Sequence, residues 1–136
     1  MKYLIGTLYL IFKEKLGPYI QYIYVRTKSL IEKAGYIPNL DNINFSKLQN
    51  KESIEILKLL YRFNEFVESA AEKNEPSIIA RYLIDVAQKF STFYNEHKII
   101  TEDKTIQDAR LALTYTVGIV LKTGVTLLGM EMPNKM

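Results

Sequence analysis

The sequence predicts an all-α fold, an antiparallel helix bundle, on three observations. Apolar residues recur at spacings of three and four along several stretches, glycine and proline are sparse and fall mostly between those stretches, and strand-like alternation is weak throughout. An amphipathic helix must bury its apolar face against another element, so four such helices with short connections make a bundle.

The first helix is expected from about Pro18 to Ala34. Pro18 suits a first helical position and Gly35 suits the residue just beyond a helix end. Tyr36 to about Lys51 then reads as a loop. The second helix is expected from about Glu52 to Lys73, with Ile56, Leu60, Phe63, Val67 and Ala70 in one stripe. Pro76 opens the third, to about Glu96, with Ile79, Leu83, Val86, Phe90 and Phe93 at the same spacing. The fourth is expected from about Thr105 to Thr123, with Asp103 as its cap, Ile106, Ala109, Leu113, Val117 and Val120 on one face, and Gly124 helping to end it. The tail from Gly129 to Met136 contains Pro133 and finishes on an apolar residue, so its end is expected to be tied down.

At 136 residues and 48% apolar composition the chain suffices for one domain with its own core. There is no cysteine, which excludes disulfides, thiolate metal sites and cysteine nucleophiles and suits a reducing cytosol. The single histidine, His97, lies between Glu96 and Lys98 and reads as a solvated helix end, because a metal site needs three or four ligands. Tyr3–Phe12 is apolar but about half the length of a membrane span, and the charged residues after it do not form a signal-peptide cleavage site. A cytoplasmic protein without membrane or metal is therefore expected.

The net charge of +3 is unevenly placed: residues 1–50 hold seven Lys/Arg against three Asp/Glu, and residues 51–136 hold eleven against twelve. A polyanion should favour the first half. No glycine-rich phosphate loop, nucleophile elbow or metal-ligand spacing appears, and Asp85, Asp103 and Asp108 read as caps and solvated faces rather than an acid/base pair. No catalytic residue is assigned.

The first helix is rich in tyrosine, and Tyr19, Tyr22, Ile23 and Arg26 fall at three- and four-residue spacing, so that Tyr22 and Arg26 share a face. Spacing alone admits two readings. Tyrosine faces usually pack into a core with only their hydroxyls wet. A phenol ring beside a guanidinium also offers an unstacked RNA base a stacking surface and hydrogen bonds.

At these residues the chain resembles a known family. GPYIQYIYVR at Gly17–Arg26, of the form GPY-x-QY-x-x-x-R, is similar to the segment that opens the C-terminal domain of arginyl-tRNA synthetases. EPSIIARYLIDVAQKFSTFY from Glu75, DARLAL at Asp108–Leu113 and VLKTGVTLLGMEMPNKM to Met136 continue the likeness in order. The resemblance implies a DALR-type anticodon-binding helical domain over residues 17–136. It implies recognition of the arginine tRNA anticodon loop, above all its central cytosine, through Tyr22, Arg26, Tyr94 and Met136. Lys28, Lys33 and Arg81 are candidates for added phosphate contacts, which position RNA without specifying it.

Residues 1–16 depart from the family pattern, which has a polar, acidic lead-in and a threonine where this chain has Leu16. They are expected to be a divergent or artificial start, or a helix whose apolar side covers surface that a catalytic domain would bury. The HIGH and KMSKS type motifs of class I synthetases are absent from these residues. The resemblance therefore implies a binding role without a cofactor, with ATP used by the catalytic domain of the parent enzyme, and a monomer is expected. Two alternatives stand beside it: the equivalent domain of a cysteinyl-tRNA synthetase, and a stand-alone helical module that holds a protein partner.

Overall fold

The computed structural model describes residue 10, residues 12–129 and residue 132. A π-helical turn, Phe12–Leu16, leads into α1, Gly17–Ala34, with Pro18 in its first turn where a missing N–H matters least. Helix α1 stops at Gly35, whose φ of 86° is left-handed and whose N–H donates to the Ile31 carbonyl at 3.0 Å. Most of residues 1–16 lies outside the described residues.

The connector from Tyr36 is not free loop throughout. It carries two short 3₁₀ turns, Leu40–Asn42 and Phe45–Lys47, each started by an asparagine side chain: Asn39 accepts from the Asp41 N–H and Asn44 from the Ser46 N–H. A third asparagine, Asn50, caps α2, Lys51–Tyr61, by accepting from the Ser53 N–H at 2.7 Å.

The helix expected from Glu52 to Lys73 is in fact two. Helix α2 ends at Arg62 (φ −92°, ψ 6°) and α3 runs Phe63–Lys73. The cause is a buried contact: the Tyr82 hydroxyl donates to the Leu59 carbonyl at 2.7 Å, and the Arg62 N–H donates to the same oxygen at 3.1 Å, closing a tight last turn. Beyond the break, Phe63 and Phe66 stack on the Tyr82 ring with centroids 5.7 and 4.7 Å away. A break lets α2 and α3 each lie against one long partner, α4, Ser77–Glu96. Helix α3 closes at Asn74 in left-handed conformation (φ 53°), where the Glu75 N–H reaches the Ala70 carbonyl, and Pro76 follows.

Asp103 caps the last helix as expected, accepting from the N–H groups of Thr105 and Ile106. That helix, α5, runs Lys104–Leu127, so Gly124 does not end it. A Cβ at Gly124 would run into the Leu83 side chain, so its bare backbone lets α5 lie close against α4 here. Gly129 (φ 77°) lies at the chain's actual turn out of the helix. The single apolar face expected for this helix is also too narrow: Leu111, Ala112, Leu113 and Thr114 are buried in succession. Helix α5 is the centre of the bundle, with α1, α4 and α2 packed around it. The core they enclose includes Ile20, Ile23, Ile56, Phe90, Phe93 and Leu121, all nearly inaccessible. Among the described residues no helix is long and apolar enough to cross a membrane.

Two polar residues differ from their expected surroundings. Asp108 accepts a 2.5 Å hydrogen bond from the Tyr36 hydroxyl, which itself accepts from Gln107, so this carboxylate anchors the start of the connector rather than facing solvent alone. His97, expected as a solvated helix end, sits 3.1 Å from the Glu52 carboxylate and against the Phe93 ring, clasping α4 to α2. The hydrogen bond from His97 holds the Glu52 carboxyl below its usual range. A lowered folded pKa contributes stability above the unfolded value, about 4.3, that is lost as pH falls through the folded value. Urea midpoints of wild type and Glu52→Gln are therefore expected to converge below about pH 4.

Candidate nucleic-acid interface

The tyrosine-rich face of α1 divides by depth. Ile23 enters the core and Tyr19 packs against it, while Tyr22 stays 47% exposed. Tyr22 is therefore not a core residue. Arg26, one turn on, donates from Nη2 to the Tyr22 hydroxyl and sets its guanidinium carbon 4.9 Å from the Tyr22 ring centroid.

The second ring comes from a different helix. Tyr94 lies near the C-terminal end of α4, where Phe93 is fully buried in the core and Tyr94, about 100° round the helix, is half-buried at its edge. Its ring rests near the buried Phe90, centroids 6.5 Å apart, and stands 4.3 Å from the Arg26 guanidinium carbon. Arg26 is thus held between two tyrosines from α1 and α4, and among the described residues no carboxylate pairs with it. An open groove of about 330 Å³ lies here, lined by Tyr22, Val25, Arg26, Ser29, Leu30, Lys33 and Tyr94.

Such a groove supplies aromatic faces and a planar cation that only donates hydrogen bonds, and none of its described lining residues is acidic. Among the described residues no group of three or more His, Cys, Asp or Glu is placed to hold a metal ion. The chemistry it can perform is recognition of a flat, electron-rich group bearing hydrogen-bond acceptors.

The model of the DALR anticodon binding domain family matches residues 20–136. The chain belongs to that family. Among its relatives, the arginine–tRNA ligase of Halothermothrix orenii is 41% identical over 126 residues and that of Streptococcus suis 43% over 125. Each match takes in 92% of this chain and 22% of the relative, so the chain spans about a fifth of the length of these enzymes. The solved Thermus thermophilus arginyl-tRNA synthetase superposes with a TM-score of 0.75 at 30% identity, covering 88% of this chain and 21% of the synthetase.

The remaining cations of this DALR domain are distributed unevenly with respect to the groove. Lys33 lines it. Lys28 faces a different groove between α1 and α5, beside Thr27 and Gly118, and Arg81 lies with Arg62, Glu65 and Asp85 on the α3–α4 side. The structure therefore separates the three basic residues that the sequence grouped, and places only Lys33 beside Tyr22, Arg26 and Tyr94. Met136 lies outside the described residues. Ser29, Asn95 and Lys98 also border this region and were not singled out from sequence. Ser29 was legible, since it lies seven residues after Tyr22 on the same helical face. Lys98 was not, because its place depends on how α4 and α1 meet.

Proposed function

We propose that this chain reads the anticodon loop of arginine tRNA, as the tRNA-recognition part of an arginyl-tRNA synthetase. The joining of arginine to tRNA with ATP is assigned to the catalytic domain of the same enzyme, in the part of the relatives' length that this chain does not match. The observation that carries this reading is the Arg26 guanidinium held between Tyr22 and Tyr94 in an open groove, with no carboxylate paired to it among the described residues. A splayed-out base stacks on such rings, and cytosine offers two acceptors, N3 and O2, to a group that has only donors. Tyr22 and Tyr94 supply stacking surface and Arg26 the edge contact. Met136 is assigned the fourth contact on family likeness.

Salt dependence distinguishes RNA recognition from the use of the same surface by a protein. The logarithm of the affinity for an arginine tRNA anticodon stem-loop is expected to fall linearly with the logarithm of salt concentration, as phosphates release counterions. A partner whose binding scarcely changes with salt, together with no stem-loop binding, would assign the surface to an apolar protein interface instead.

A further inference from the structure

The groove at Tyr22 and Arg26 does not stop at Tyr94. A second and larger one, about 700 Å³, begins on the same three residues, Leu30, Lys33 and Tyr94, and continues along the end of α4 to Ile100. Resting on the anticodon-loop reading above, we propose that this second groove is a backbone track for the nucleotides that flank the read base. Lys33 and Lys98 are its phosphate contacts.

Three observations support the track. Lys33 and Lys98 come from different helical regions, α1 and the α4–α5 loop, yet line the same depression. Both are exposed, and among the described residues neither ammonium is in an ion pair, whereas Lys89, Lys51 and Arg62 each have a carboxylate partner. The loop that carries Lys98 is also held in place. Arg110 of α5 donates to the Lys98 carbonyl at 2.5 Å, Ile99 is buried, and the Thr101 N–H donates to the Gln107 side chain at 2.9 Å. A fixed wall presents its cation without an ordering cost on binding. Among the described residues lining this groove, Glu96 is the carboxylate that stands against the two lysines. Contacts of this kind set strength and position and leave base choice to the tyrosine–arginine site.

The test uses the intact chain with two anticodon stem-loops, one with the central cytosine and one with it replaced, titrated across a range of salt. Lys33→Ala and Lys98→Ala are expected to weaken binding of both loops by the same several-fold factor at low salt. Each should lower the salt slope by about 0.7 and leave the preference between loops unchanged. Lys122→Ala, which removes an exposed lysine from the α1–α5 groove, controls for net charge and should change little. Circular dichroism checks that all variants stay folded. If both groove variants behave like Lys122→Ala while wild type still prefers the cytosine loop, the track is overturned and the base-reading site stands. If wild type binds neither loop, both fall together.

Discussion

Replacing Arg26 with alanine is expected to weaken anticodon-loop binding roughly ten- to a hundredfold, the equivalent of one lost edge contact and part of a stacked surface. The fold should survive, because Arg26 is not part of the core and makes no ion pair among the described residues. Arg26→Lys is expected to recover little of the loss. An ammonium keeps the charge but lacks the planar fork that lies between Tyr22 and Tyr94 and presents parallel donors. Stem-loop titrations of both variants, with melting curves as a folding control, separate this from a general charge effect. Full recovery by lysine would mean that Arg26 acts only as a positive charge.

The largest effect on stability is expected at Phe90. Its side chain is fully buried in α4, near Phe93 and Tyr94 with centroids 6.3 and 6.5 Å away. Phe90→Ala loses the transfer energy of a ring and leaves a cavity that the helices packed around it fill only in part, a cost of about 3–5 kcal/mol. Small domains have only about 5–15 kcal/mol in total, so the midpoint of thermal unfolding should fall by roughly 10 °C or more. Phe90→Leu should cost markedly less, because it refills most of the volume. Phe90→Ala also removes the ring beside Tyr94, so residual folded protein should bind RNA less well. A melting curve unchanged by Phe90→Ala would contradict the packing described here.

Much of the fold was legible because helical periodicity directly reports which side of a helix is buried. The stripe from Ile79 to Phe93 is buried at every position, and Asp103 caps the helix that its place before Thr105 suggested. The break at Arg62 was hidden for a physical reason: the apolar spacing continues through it, and the contact that ends α2 comes from Tyr82, distant in sequence. Gly124 misled in the same way. Its lack of a side chain serves close approach to Leu83 rather than termination, and only the packed helices reveal which role a glycine has. At the candidate site, the pairing of Tyr22 with Arg26 follows from four-residue spacing, whereas Tyr94 was brought to them by family likeness and not by any local pattern. Lys98 had neither signal. Its position depends on the α1–α4 crossing and on the Arg110 tether.

The central claim is base reading by Tyr22, Arg26 and Tyr94, and the most direct measurement is a low-salt titration of the arginine tRNA anticodon stem-loop against the same loop with its central cytosine replaced, repeated with Tyr22→Ala. The expected result is preferential binding of the cytosine loop, with Tyr22→Ala losing about 1–3 kcal/mol of affinity, the worth of one base stacked on an aromatic ring, and most of the preference. Equal affinity for both loops, or no binding by the folded chain, would contradict it.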